Sequence, residues 1–323
     1  MRRRTFLKLA GSAGAGLSAF PAVVGAQAPW PNKPVKIIVP FGAGGGTDNL
    51  ARFWAEKLGQ AFGQPFVVEN RGGASGMIGT EAAAKSAPDG YTLLLSSNSS
   101  TVNLPLLRKV SYEPGSIRPV VRVGDAVTGF CVHPSTGLKS VKEFVDFASA
   151  NPGKLVGCSA GMATSSHMRM EMLAYRTGVK FLHVPYRGGA DALNDLLAGT
   201  VNFMNDPSCN PSIKAGKLNL LCVNHSTRSP EFPDTPTLTE AGYPNSDVPL
   251  WFCLWAPAGM PQPIADALHA KVTEISKMPD VPARLLLSGN LPVTSTQAEL
   301  AAFRDAEWKS TSDLIKEANI KLE

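Results

Sequence analysis

Short apolar segments alternate with amphipathic segments along most of this chain, and glycine-rich turns join them. Val35–Phe41 is a nearly continuous apolar run that predicts a buried strand, and the glycine loop 42–46 follows it. From Thr47 onward apolar residues recur at helical spacing, with Thr47 or Asp48 as the expected N-cap. Because parallel strands need a crossover connection, usually a helix, this order predicts an α/β fold with mostly parallel sheets.

The alternation occurs twice before the pattern changes. The predicted strands that follow are 66–69, 91–95, 120–123, 127–132, 154–158, 181–184, 201–205 and 218–223, and the predicted helices are 77–85, 140–150, 164–176 and 190–198. A proline- and threonine-rich stretch then leads to a strand at 251–256 and helices at 262–277 and 297–317. This return predicts two lobes with a cleft between them: residues 29–127 plus 248–323 in lobe 1, and residues 128–247 in lobe 2.

The first 28 residues predict an export signal. A basic segment, Arg2–Lys8, precedes an uncharged run of small residues, and Ala26-Gln27-Ala28 then matches a cleavage site whose exact position stays open. Arg3-Arg4 followed by Thr5-Phe6-Leu7-Lys8 resembles a twin-arginine signal, which implies a periplasmic protein. Four of the net charges of +5 lie in this leader, so residues 29–323 carry +1, which argues against a nucleic-acid partner.

Three predicted strand-to-helix turns have the composition of an anion site. They are Phe41–Asp48, Cys158–Ser166 and Pro185–Ala190. Ligands of open α/β sheets bind at the carboxyl ends of strands, and helix N-termini present free N–H groups with partial positive charge. The polar loop 96–101 follows another strand at the same kind of position. We therefore expect one shared anion site at these turns.

Two enzyme hypotheses compete with a binding site. A dinucleotide site is disfavoured because Thr47 stands where G-x-G-x-x-G needs its last glycine. Gly157–Gly161, however, is a literal G-x-S-x-G between a predicted strand and helix, as around a hydrolase nucleophile. Asp206 and then His225 or His269 follow in the Ser, Asp, His order, so an exported serine hydrolase using Ser159 stays open as the alternative.

Several single residues keep two interpretations. His167 is predicted one turn into a helix, where it could face the cleft or bond a backbone carbonyl, and Arg187 could pair with a carboxylate or brace its loop. Asp206 could bond a ligand hydroxyl or amine, or cap the next turn. None of the five cysteines lies within four residues of another, so no metal or cofactor is expected; whether any two form a disulfide stays open: Cys131, Cys158, Cys209, Cys222 and Cys253.

Linked motifs along the mature chain resemble the Bug receptors, the periplasmic substrate-binding proteins of tripartite tricarboxylate transporters. The matching segments are Lys33–Phe41, the glycine loop ending at Asp48, Val67–Arg71, Pro88–Leu94, His183–Gly188, Leu197–Gly199 and Pro236–Gly242. The resemblance implies a type II periplasmic-binding-protein fold that closes on a small carboxylate and presents it to an inner-membrane permease. It implies no enzyme activity, and we expect a monomer.

The resemblance also implies a ligand-binding set, in which backbone N–H groups and water hold a carboxylate. Its members here are Phe41, Ala43, Gly44, Gly45, Thr47, Asp48, Ser97, Asn98, Ser159, Ala160, Gly161, Thr164, Ser165, His167, Tyr186, Arg187 and Asp206. This chain departs from the family pattern in the second loop, where Met162–Ser165 replaces the usual Gly-Ser pair. The identity of the carboxylate therefore stays open: a dicarboxylate, a tricarboxylate or an aromatic acid.

Overall fold

Two β-sheets form the framework of the structure, a computed structural model that describes residues 30–320. The predicted export signal, residues 1–28, lies outside the described residues. The strands are β1 Val35–Val39, β2 Phe66–Asn70, β3 Thr92–Ser97, β4 Ile117–Ala126, β5 Gly129–Val132, β6 Val156–Ser159, β7 Leu182–Pro185, β8 Phe203–Met204, β9 Asn219–Val223, β10 Trp251–Pro257 and β11 Asn290–Leu291.

The strand order separates the two sheets. One has the order β11-β4-β10-β3-β1-β2, and the other has the order β7-β6-β8-β5-β9. We call the parts of the molecule built on these sheets lobe 1 and lobe 2, respectively. The chain passes into lobe 2 between β4 and β5 and comes back before β10. The residue boundaries given above for the lobes stay a prediction.

Helices flank both sheets, which confirms the α/β class. They are α1 Gly46–Phe62, α2 Met77–Ala84, α3 Leu104–Leu107, α4 Val141–Ala150, α5 Ser165–Thr177, α6 Gly189–Leu197, α7 Asn210–Lys214, α8 Gln262–Ser276, α9 Val281–Leu287 and α10 Gln297–Glu317. Among residues 30–320, no helix has the length and apolarity needed to cross a membrane.

The sheets are mixed, so the expectation of mostly parallel sheets is wrong in this detail. β1 pairs in parallel with β2 and β3, and β6 pairs in parallel with β7 and β8. The other five pairings are antiparallel. The physical reason is that β10 lies between β3 and β4, and β5 lies between β8 and β9. Each of these two strands arrives from the other lobe, without the helical crossover within its own sheet that parallel pairing requires.

Each lobe has its own aromatic core. In lobe 1, Trp251 and Trp255 are almost fully buried against β3 and α10, and the indole N–H of Trp54 donates to the carbonyl of Val123 at 3.0 Å. In lobe 2, the rings of Phe144 and Phe203 meet edge to face with centroids 4.9 Å apart. Each such side chain stabilises the fold by roughly 1.5 to 3 kcal/mol, so both lobes give firm support to the loops at their strand ends.

All five cysteines are buried and free, so the structure contains no disulfide between them. Burial raises the pKa of the Cys222 and Cys253 thiols to about 12. These thiols therefore behave as small core side chains rather than as nucleophiles.

Candidate carboxylate-binding cleft

Three helices begin at one cleft between the lobes: α1 at Gly46, α5 at Ser165 and α6 at Gly189. The first N–H groups of a helix have no intrahelical acceptor and carry partial positive charge. The cleft is also lined by Phe41, Gly45, Thr47, Ser97, Ser99, Ala160, Thr164, Ser166, Asp206, Pro207, Leu250 and Phe252. Hydroxyls and amides thus face one another across a partly apolar floor.

The start of α1 differs from the expectation. Gly45 is the N-cap, with extended backbone, so neither Thr47 nor Asp48 caps the helix as predicted. Asp48 is instead 2% exposed, and its carboxylate accepts hydrogen bonds from the Gly44 N–H at 2.8 Å, from Arg52 at 2.9 Å and from Asn70 at 2.9 Å. Burial opposes its ionisation, but the bonds from Arg52, Gly44 and Asn70 prevail, so the pKa of Asp48 is lowered. Asp48 therefore holds the glycine loop from behind.

The start of α5 is held by hydroxyl groups. Thr164 is the N-cap as a strong capping residue should be, and its Oγ1 donates to the carbonyl of Gly161 at 2.7 Å. Ala163 has a left-handed φ of 63°, and its N–H donates to Nδ1 of His167 at 3.2 Å. His167 is 3% exposed and stacks on His183 with ring centroids 4.3 Å apart. His167 therefore fixes the loop rather than lining the cleft.

Glycine at the start of α6 leaves room for a buried carboxylate. A Cβ at Gly189 would stand 2.9 Å from Oδ1 of Asp206, and real Cβ atoms essentially never lie this close to another heavy atom. That same oxygen accepts from the Ser208 N–H at 3.0 Å and from its hydroxyl at 2.7 Å. Burial raises the pKa of Asp206 although the bonds from Ser208 act to lower it. Asp206 therefore caps the turn at Pro207 and also reaches the cleft.

The polar loop expected at 96–101 has regular structure. β3 runs on to Ser97, and Ser99–Asn103 forms a π-helical turn, so the prediction of a loop is wrong there. The turn is buried, continues directly into α3 and packs on α10. This packing stabilises a helical turn that its serine and threonine residues disfavour locally. Ser97 and Ser99 reach the cleft from this segment.

A family profile described as "Tripartite tricarboxylate transporter family receptor" matches residues 50–320. The chain belongs to this family.

Relatives of this receptor cover nearly its whole length. Protein BugT of Bordetella pertussis is 36% identical over 94% of this chain and 96% of its own length. R. palustris Rpa4515, solved with adipate, is 31% identical with a TM-score of 0.87, covering 90% of this chain and 99% of that one. MatC from Rhodopseudomonas palustris, with bound malate, is 30% identical with a TM-score of 0.83, covering 88% and 100%. The family consists of two-lobed periplasmic solute-binding receptors.

The structure brings together eight of the seventeen receptor residues predicted from the sequence. Those in the cleft are Phe41, Gly45, Thr47, Ser97, Ala160, Thr164, Ser165 and Asp206. Ala43, Gly44 and Arg187 are exposed and do not line the cleft, and Asn98 and Gly161 are buried outside its lining. Tyr186, also outside it, donates its hydroxyl to Asp195.

Seven residues that line the cleft were not predicted from the sequence. They are Gly46, Ser99, Ser166, Gly189, Pro207, Leu250 and Phe252. The first four lie in segments whose turn composition had already been recognised, so proximity in sequence could have found them. Leu250 and Phe252 belong to the return to β10, where an apolar run gives no sign that it faces a ligand.

The proposed hydrolase triad does not assemble. Ser159 Oγ lies 2.7 Å from Nε2 of His183, but the side chain is fully buried, lies outside the cleft lining and also donates to the carbonyl of Gly161. His225 bonds to Thr227, and His269 bonds to the carbonyl of Ser295, so neither is joined to Ser159. The family is one of solute-binding receptors rather than of enzymes.

Proposed function

We propose that this protein is a periplasmic receptor that binds a small carboxylate by lobe closure and delivers it to a tripartite tricarboxylate transporter permease. The observation that carries the proposal is the convergence of the α1, α5 and α6 N-termini on one cleft. Among the described residues that line it there is no lysine, arginine or histidine. Helix N–H dipoles fixed in place can hold a carboxylate without a basic side chain.

Contacts between the lobes support binding by closure. A Cβ on Gly188 of lobe 2 would lie 3.4 Å from the backbone N of Gly42 in lobe 1, and one on Gly46 would lie 3.3 Å from Pro207. The two lobes therefore approach each other closely at the cleft. A carboxylic acid with several carbon atoms therefore requires the lobes to part before it enters and to close around it.

The predicted ligand-binding residues have two roles in this receptor. Those that line the cleft contact the carboxylate, chiefly through the N–H groups of Gly46, Thr47 and Gly189 and the hydroxyls of Ser97 and Thr164. The others hold the loops in place, as Asp48 and His167 do. Asp206 is the acidic side chain of this lining, so it favours a ligand with a hydroxyl or amine donor at its end of the cleft.

Location and partner follow from the family and the leader. Export by the twin-arginine-like signal would place the receptor in the periplasm, where closed, liganded molecules can reach the permease. Residues 29–323 carry a formal charge of only +1, so the net charge alone gives little attraction to an oppositely charged partner. We propose a monomer, because one chain supplies both walls of the cleft.

The test is thermal denaturation of the protein purified from the periplasm against malate, adipate, citrate and aromatic carboxylates. A ligand present at about 100 times its dissociation constant stabilises the fold by roughly 2.7 kcal/mol, a shift of a few degrees. A chromogenic ester assay on wild type and Ser159→Ala runs alongside. Absence of any carboxylate shift, together with ester turnover that Ser159→Ala abolishes, would replace the receptor proposal with the hydrolase.

A further inference from the structure

A buried carboxylate lies behind the cleft. Glu307 of α10 is 5% exposed, and it accepts hydrogen bonds from the side-chain amide of Asn98 and from the indole N–H of Trp251. Its described hydrogen bonds include no cationic donor. The charges of Arg122 and Asp125 on β4 act on it, and these two side chains form an ion pair with each other. A lone carboxylate in the core destabilises a fold, so its presence calls for a functional explanation.

Asn98 connects this carboxylate to the opposite lobe. Its Nδ2 donates to Glu307 and to the carbonyl of Pro249 at 3.0 Å, and its Oδ1 accepts from the hydroxyl of Ser165 at 2.9 Å. Ser165 is the first residue of α5, and its N–H donates to Oγ of Ser99 at 2.9 Å. Ser99 and Ser165 line the cleft. The start of α5 is therefore bonded to lobe 1 at the wall of the ligand site.

We propose that Glu307 is a positioning residue for ligand binding, which orients the Asn98 amide so that Asn98 and Ser99 hold Ser165, and with it lobe 2, in the closed state. The inference rests on the proposed function, because it describes how the closed state is held. Within this network Glu307 touches no ligand and acts through Asn98.

The chemistry of the two side chains explains the orientation. An ionised carboxylate only accepts hydrogen bonds, so it faces the Nδ2 group of Asn98 and turns Oδ1 towards Ser165. A neutral group at position 307 can itself donate, so it also allows the flipped amide, which takes its Nδ2 away from Pro249. Ser165 and Pro249 would then lose the arrangement that closure uses.

The same geometry predicts the direction of the pH dependence. Burial raises the pKa of Glu307 to about 7, against the bonds from Asn98 and Trp251 and the charge of Arg122, while Asp125 adds to the rise. The ionised form supports closure, so affinity rises as pH increases through about 7. By linkage, ligand binding in turn favours the ionised form.

The first experiment measures dissociation constants by calorimetry at pH 6, 7 and 8, with malate and adipate as the probes. We expect Glu307→Gln to weaken binding about tenfold at pH 8, because the Asn98 amide is no longer held in one orientation and becomes free to flip. The variant should bind with the same affinity at all three pH values. Glu317→Gln, an exposed change on the same helix, should match wild type. Equal affinities of wild type and Glu307→Gln at pH 8 would overturn the proposal.

A double-mutant cycle separates positioning from general packing. In an Asn98→Ala background, Glu307→Gln should have no further effect on affinity, because the path through the amide is already absent. Additive losses would show that Glu307 does not act through Asn98. If Glu307→Gln does not fold, wild type and Asn98→Ala are compared across the same pH range, and an identical pH dependence in both contradicts the inference.

Hydrogen exchange of the Ser165 amide tests the contact without any ligand. We expect Glu307→Gln to speed this exchange at pH 8 and Glu317→Gln to leave it unchanged. Unchanged exchange in Glu307→Gln would overturn the inference. If wild type binds no carboxylate at all, the proposed function fails, whereas the exchange rate still decides whether Glu307 holds Ser165.

Discussion

Arg169 of α5 is fully buried and has no carboxylate among its described hydrogen-bond partners. Its guanidinium donates to the carbonyl of Val248 at 2.9 Å, to Oδ1 of Asn205 at 2.8 Å and to the carbonyl of Asn224 at 3.5 Å. Burial lowers its pKa to about 10, and the charges of Asp206 and Asp247 act against that lowering. The planar guanidinium thus connects α5 to three segments: the one after β8, the one after β9 and the one before β10.

Replacing the Arg169 side chain should destabilise the protein strongly. We expect Arg169→Met to lower the free energy of unfolding by about 3 kcal/mol, because it leaves buried acceptors unpaired. Urea denaturation measures the loss. Arg176→Met, an exposed change on the same helix, should stay within about 0.5 kcal/mol of wild type. A stable Arg169→Met variant would mean that water or a rearranged side chain satisfies these acceptors.

Residues of this kind could not be predicted from the sequence. The glycines and hydroxyls of the turns were recognised because turn chemistry is local. The roles of Arg169 and Glu307 depend on partners far along the chain, such as Val248 for the first and Asn98 for the second. Local spacing carries no information on such pairs, so both residues looked like ordinary helix positions.

The close approach of α6 to the turn after β8 sets the shape of the cleft. We expect Gly189→Ala to weaken carboxylate binding at least tenfold, because its Cβ would stand 2.9 Å from Asp206 Oδ1 and 3.2 Å from Ser208 Oγ and would displace both side chains. Calorimetry with the ligand found by the thermal screen measures the loss.

The matched control for this change is another glycine. Gly115→Ala meets no atom within 4 Å and should bind as wild type does. The melting temperature of Gly189→Ala should move little, since the clash lies at the cleft rather than in either core. Full affinity in Gly189→Ala would show that Asp206 can move aside without consequence for the ligand.

Element boundaries were predictable where the periodicity is strong. The helices expected at 262–277 and 297–317 match α8 Gln262–Ser276 and α10 Gln297–Glu317. The helix Val281–Leu287 and the π-helical turn Ser99–Asn103 were not predicted. The helix is short, and the turn is rich in serine and threonine, so tertiary burial decides both structures against weak local preference.

The return of the chain to lobe 1 could be predicted from the order of strands and helices, but the direction of the strands could not. Direction depends on how each connection crosses between sheets, which periodicity does not record. The same fold brings acidic groups into the interior: burial raises the pKa of Asp125, Asp206, Asp247 and Glu307. Each of these raised pKa values makes the free energy of unfolding depend on pH.

Glu307 and His183 should change stability in opposite directions between pH 6 and 8. The pKa of Glu307 is about 7 in the fold against an ordinary 4.5, so its contribution to stability falls as pH rises through that window. Burial and the neighbouring His167 lower the pKa of His183 to about 4 from 6.5, so its contribution is present at high pH and falls as pH drops below about 6.5.

Comparison of melting temperatures at pH 6, 7 and 8 separates the two contributions. Relative to Glu307→Gln, wild type should gain about 1 kcal/mol on going from pH 8 to pH 6, a difference of roughly 2 °C. Glu317→Gln should follow wild type, since that carboxyl is exposed. Parallel curves for wild type and Glu307→Gln would mean that Glu307 titrates in the fold as it does in the unfolded chain. The hydrogen bonds from Asn98 and Trp251 would then offset the cost of burying the charge. Glu307 would be ionised throughout pH 6 to 8, so ligand affinity would not change with pH in that range.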